Sequence, residues 1–570
     1  MMRRPATLVL AWSAALLLST LAASPPLAAQ AVFQDGFEPS VPATPRSDAE
    51  AARFLTQATF GPTFADIQHL RTVGYAAWFD QQFNRPASHQ TPYLDFVGAI
   101  PEPVYSNARM EAWWLNAVRG EDQLRQRVAW ALSQIFVISD ASDVIGAPYP
   151  VAYYYDLLID HAFGNYRSLL EAVTTSPAMG AYLSMLGNRR PDPALNLRPD
   201  ENYAREILQL FSIGLVRLNP DGSPMLQGGQ PLPSYDQYHI KTFAHVFTGW
   251  NFGNCSGFEY CSPGYPIAVG WSQPMQPFAA FHHVERDADP DNDSFLLGAL
   301  RPAGGTPQQN LALALDNIAA HPNVGPFIAR RLIQNLVTSN PTPAYIARMS
   351  AVFDDNGAGV RGDLRALVRA ILMDNEARNG HLLMPATFGK VREPLLRQTH
   401  LWRAFDAASL DGRYRDWNPE FDFGQAPNRA RSVFNFFLPD YQPPGELAQA
   451  GLYAPEIQII NETLVTRTAN WFWHAAEREH VGSPFAQDPD PERILLDFRP
   501  LQAIAGDNDV LLDRLNLLLM SGQMSAQMRT VLRTHLDAIP YAAGNDGGGR
   551  ARVWGAVHLI TTSPEYIVQK

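Results

Sequence analysis

Apolar residues along this chain recur with a period near that of an α-helix, and no other feature constrains its fold as strongly. Over residues 121–138 they fall at Leu124, Val128, Ala131, Leu132, Ile135 and Phe136, a spacing that puts them on one face of a helix. Residues 201–213 repeat the pattern with Tyr203, Ile207, Leu210 and Phe211, and similar stripes run through 324–336, 343–353, 364–373 and 457–475. Few segments alternate with the period of two that a half-buried strand needs. The helices must therefore bury their stripes against one another, which predicts a mainly α fold.

The start of the sequence reads as an address. Arg3 and Arg4 precede an apolar stretch over 8–23, and Ala29-Gln30-Ala31 fits a small-x-small cleavage site, so residues 1–31 read as a secretory signal peptide. Cleavage after Ala23 or Ala29 also fits. A membrane span needs about 20 apolar residues; this stretch is shorter and is interrupted by Ser13, Ser19 and Thr20. The reading is an exported protein, periplasmic or extracellular, without a transmembrane anchor. Pro39, Pro42 and Pro45 mark 32–47 as a flexible leader, and Ser47 with Glu50 occupies the capping-box positions of a first helix. In an oxidising compartment Cys255 and Cys261 can close a short loop as a local disulfide. Metal binding by the two thiolates alone is the weaker alternative.

Charge narrows the partners. Lys and Arg number 44 against 56 Asp and Glu, a net charge of -12, which argues against nucleic acid. The 46 prolines and 39 glycines gather partly in 218–305, which reads as a loop-rich insertion carrying short β-hairpins, with a turn at Asn219-Pro220-Asp221-Gly222.

Several segments together resemble one bacterial family, catalogued as a domain of unknown function, number 1800. They are the opening Ala52-Arg53-Phe54-Leu55-Thr56-Gln57-Ala58-Thr59-Phe60-Gly61, the central string from Arg198-Pro199-Asp200-Glu201-Asn202-Tyr203 through Ala204-Arg205-Glu206-Ile207 to Ser212-Ile213-Gly214, and Phe247-Thr248-Gly249-Trp250. Phe327-Ile328-Ala329-Arg330-Arg331-Leu332, Lys390-Val391-Arg392-Glu393-Pro394 and Ser563-Pro564-Glu565-Tyr566 come next in order. The resemblance implies a single mainly helical domain over 48–570, and pairing with a second exported protein. One departure stands out. Many relatives carry Trp-His-Asn-His-Phe where this chain has Leu132-Ser133-Gln134-Ile135-Phe136, so a metal role for those histidines does not carry over.

The candidate site residues begin on the helix after Pro199. Opposite its apolar stripe lie Glu201, Arg205 and Gln209, with Asn202 and Glu206 as a second polar row. Two carboxylates and a guanidinium on one face can act as acid and base, with His283 as a partner; an i, i+4 ion pair on a capped helix is the structural alternative. The catalytic candidates are thus Glu201, Arg205, Glu206 and His283. Asn202, Gln209 and Trp250 are candidates for binding, as are Lys390, Arg392 and Glu393, which read otherwise as a local network beside a turn. Asp287, Asp289, Asp291 and Asp293 alternate in a loop where carboxylates can converge on a divalent cation such as calcium, although the glycine and glutamate of an EF-hand loop are missing. A solvated acidic loop is the alternative. No nucleophile elbow, zinc-protease helix or phosphate-binding glycine loop is present. The favoured function is a binding or accessory protein acting with another exported or cell-envelope component. The rival is an exported metal-assisted hydrolase built on the 201–206 face.

Overall fold

The apolar stripes become helices that meet along those stripes. A computed structural model describes residues 41–100, 103–142, 145–261, 270–285, 296–299, 303–486, 490–541 and 546–570. Three consecutive helices, Val324–Leu336, Pro343–Asp354 and Leu364–Met373, pack on one another. Each of the last two starts on a side chain that accepts from a free backbone N–H, Thr342 from Tyr345 and Asp363 from Ala366. Leu364, Leu367, Val368, Ile371 and Leu372 are buried, and each such side chain contributes roughly 1.5–3 kcal/mol.

The helix Gln123–Ser133 lies at the centre of the N-terminal part. It touches Asp48–Ala58, Phe64–Asn84, Ser106–Arg119, Pro148–His161 and Val324–Leu336, and so is buried on nearly every side, polar residues included. It stops at Ser133, and Gln134 and Ile135 continue as a turn. Trp113 and Trp114 belong to the same core, with ring centroids 5.0 Å apart. Near the C-terminus, Glu462–Glu477 packs on Asp546–Thr561, and Lys390–Val391 pairs antiparallel with Val568–Gln569. The 457–475 stripe is split: a 3-10 turn, Pro455–Ile459, precedes the helix, and Asn461 caps it by accepting from Leu464 N–H.

Among the described residues sheet structure amounts to two-stranded pairs, and the fold is mainly α. In 218–305 the expected turn forms, Gly222 N–H donating to Asn219 O at 2.9 Å and Leu218 bridging antiparallel to Pro224, and a second hairpin follows it as Leu226–Gln227 against Gln230–Pro231. The stretch also holds a helix that its proline and glycine density conceals, Gln237–Val246, with Ile240, Phe243 and Ala244 buried. Asp236 and His239 close its capping box. Cys255 and Cys261 are joined as a disulfide, their Cα atoms 5.9 Å apart. At Ser47 half of the expected box forms: Ser47 Oγ accepts from Glu50 N–H, while the Glu50 carboxylate turns to Arg46. Among the described residues no helix is long and apolar enough to cross a membrane.

Candidate functional site

The helix Asn202–Gln209 leads into a left-handed glycine that redirects the chain. Gly214 has φ of 71°, its N–H donates to Leu208 O at 3.0 Å, and a Cβ there would stand 3.2 Å from the Phe327 ring. Glycine lets the chain turn against the helix Val324–Leu336. Asn323, just before that helix, then clamps the exit: its Nδ2 donates to Ile213 O and Val216 O at 2.8 Å, and its Oδ1 accepts from Leu218 N–H at 2.9 Å.

Between these two elements lies a cavity of about 480 Å³. One wall is Gln209, Leu210, Ile213 and Gly214; another is Phe327, Arg330, Arg331 and Asn335; Gln134 and Ile135 close the inner end. The segment from Val433 to Asp440 covers the remaining side. Asn435, in the left-handed region with φ of 68°, donates through Nδ2 to Gln134 Oε1 at 3.2 Å, and Gln334 Nε2 donates to Pro439 O at 3.0 Å. These two bonds hold the cover on the helical body.

Behind Gln134 and Asn335 sits a buried polar network. Glu393 Oε2 accepts from Trp130 Nε1 at 3.0 Å, Gln134 Nε2 at 3.1 Å and Gln425 Nε2 at 2.8 Å. Lys390 Nζ lies 3.1 Å from Glu456 and 3.8 Å from Glu393, and donates to Asn335 O at 2.9 Å. Arg127 donates to the same carbonyl at 2.6 Å. Burial pushes the Glu456 carboxyl up, with Lys390 opposing. Lys390 thus lies closer to Glu456 than to Glu393, and the network that joins them reaches Trp130 and backs the cavity.

The other candidates fall in different places. Glu201 and Arg205 form the i, i+4 pair at 3.3 Å, and Glu201 also accepts from Gln237 Nε2 at 2.7 Å. Glu206 is buried, and that burial pushes its carboxyl up, opposed by Arg205; Tyr182 and Tyr235 sense its charge. Asn202 is exposed, its N–H held by Asp200 Oδ1 at 2.8 Å. Trp250 is buried in a short strand opposite Pro277. His283 is buried with its ring 4.3 Å from that of His245. Arg392 points away from Lys390, to His400 Nδ1 at 2.9 Å and the Tyr566 ring. Of the binding candidates, Gln209 lines the cavity and Glu393 and Lys390 support it. Asp287, Asp289, Asp291 and Asp293 lie outside the described residues. Among the described residues no group of three or more His, Cys, Asp or Glu side chains is placed to hold a metal ion.

Two family-like segments therefore converge on one cavity, the end of the central string and the string over 327–332, and the turn at Gln134 and Ile135, where the chain departs from the family pattern, joins them. The family model described as "Protein of unknown function (DUF1800)" matches residues 53–568. The chain belongs to that family. No curated protein and no solved structure matches it. The cover over 433–440 carries no motif; its run Val433-Phe434-Asn435-Phe436-Phe437-Leu438, too apolar for a solvated loop, is the signal by which the sequence marks it.

Proposed function

We propose that this DUF1800 protein is an exported ligand-binding protein whose site is the cavity between Gln209–Gly214, Phe327–Asn335 and the 433–440 cover. The observation that carries the reading is the convergence of separate family-like segments on a concave space of about 480 Å³, inside the range of roughly 300–1,000 Å³ usual for small-molecule sites. Its lining combines apolar walls with a few amides and guanidinium groups, the composition of a site that orients a ligand. The hydrolase reading gains less: Glu201 is engaged by Arg205 and Gln237, and Glu206 is buried. Export rests on the signal-like segment 1–31 and agrees with the Cys255–Cys261 disulfide. Action beside a second exported protein is part of the same proposal and rests on the family resemblance.

Leu215 stands at the mouth, 57% exposed, so enlarging it disturbs the core little. The neutral fluorescent probe N-phenyl-1-naphthylamine is expected to bind the full chain with enhanced emission, and Leu215→Trp to weaken that binding about tenfold by narrowing the mouth, a loss of about 1.4 kcal/mol. Unchanged titration curves in a folded Leu215→Trp protein would put the probe elsewhere and remove the basis of the proposal.

A further inference from the structure

Arg330 and Arg331 line the cavity side by side on one helix. Among the described residues the Arg331 guanidinium makes a single hydrogen bond, through Nη1 to Gln334 Oε1 at 3.4 Å, and the buried Nε of Arg330 has no partner. Among the same residues neither guanidinium belongs to an ion pair, in a chain whose net charge is -12. Asp440, an exposed residue at the far lip, helps Arg331 only at longer range. Both cations lie on aromatic faces, Arg330 5.2 Å from the Tyr453 centroid and Arg331 5.0 Å from that of Phe327. Stacking fixes the planes of the guanidinium groups and leaves their N–H edges for an acceptor. Holding two half-buried like charges side by side, with Asp440 the counter-charge only at longer range, costs free energy, and an anionic ligand lowers that cost.

Apart from the amides of Gln134, Gln209, Asn335 and Asn435 and the Asp440 carboxylate at the lip, the rest of the lining is apolar. Ile135, Ile213 and Phe437 are buried in the walls, while Phe434 and Leu438, 47% and 41% exposed, stand with Leu215 around the mouth. From this arrangement we infer that the cavity takes an amphipathic monoanion, a carboxylate headgroup on an aliphatic body, with the head on Arg330 and Arg331 and the body against the apolar walls. The inference rests on the binding reading above and names its ligand class. Arginine matches a carboxylate in a two-pronged geometry, and a hydrogen bond to a charged group is strong enough to set headgroup preference.

The test uses three probes of equal chain length, dodecanoate, dodecanol and dodecyltrimethylammonium, titrated calorimetrically into the full chain below their micellar concentrations. Dodecanoate is expected to bind at least about tenfold tighter than dodecanol, with the cation weakest. Arg331→Gln is expected to erase the preference of acid over alcohol while leaving dodecanol binding in place. Arg330→Gln carries the same test if Arg331→Gln does not fold. Equal affinity for dodecanoate and dodecanol, or an undiminished preference in both variants, would overturn the ligand class while leaving the cavity a binding site. Failure of all three amphiphiles and of the neutral naphthylamine probe would overturn the binding reading itself.

Discussion

Glu393→Ala is expected to lower the stability of the protein by about 3–5 kcal/mol, the usual effect of removing one partner from a buried ionic network. Glu393 is fully buried and accepts three hydrogen bonds on one oxygen, from Trp130, Gln134 and Gln425. Alanine strands those donors and leaves Lys390 with Glu456 alone. It also frees the Gln134 amide, which holds the Asn435 end of the cavity cover. Glu393→Gln keeps an acceptor of the same size and loses only the charge, so its cost is expected to be the smaller of the two. Urea denaturation of both variants beside the parent checks this. A midpoint for Glu393→Ala within experimental error of the parent would mean that the network contributes nothing.

The second large effect is in acid. His400 is buried, with Nε2 2.8 Å from Leu518 O and Nδ1 2.9 Å from an Arg392 nitrogen. The carbonyl can only accept and the guanidinium can only donate, so the ring is neutral, with its proton on Nε2. A second proton would sit on the nitrogen that faces Arg392. Burial above all, then Arg392, and finally Arg403 against the help of Leu518 O, push the His400 pKa down to about 3. The unfolded chain therefore binds the proton more readily than the folded one. Stability tied to His400 is fully present above about pH 6.5 and is lost as pH falls toward about 3, on the order of 5 kcal/mol in all. His400→Gln, which keeps an N–H for Leu518 O, is expected to flatten this part of the stability profile. Parallel pH profiles for the parent and the variant would remove His400 as its source.

How much of this was legible in the sequence depends on distance along the chain. The helices Val324–Leu336 and Leu364–Met373 fall where their stripes predict, because the stripe and the surface it buries are the same residues. Gln237–Val246 was lost among prolines and glycines, although Ile240, Phe243 and Phe247 keep a helical spacing. Lys390 and Glu393 were legible as neighbours, but Trp130 lies 263 residues from Glu393, and no local pattern announces such a pairing. The pairing of Glu201 with Arg205 was legible from their i, i+4 spacing. The burial of Glu206 was not, since it comes from elements packed above that face. The cavity was hardest of all: its walls are three separate segments and its cover has no motif. Only Gln209 among its lining residues stood out as a candidate beforehand.

Hydrogen–deuterium exchange of the full chain with and without saturating dodecanoate tests the central claim most directly, because it locates the ligand without a substitution. Slower exchange is expected in 209–218 and 433–440, the segments that form the wall and the cover of the cavity. Unchanged exchange in both, with protection instead at the cleft of about 370 Å³ beside Arg392 or nowhere, would contradict the account.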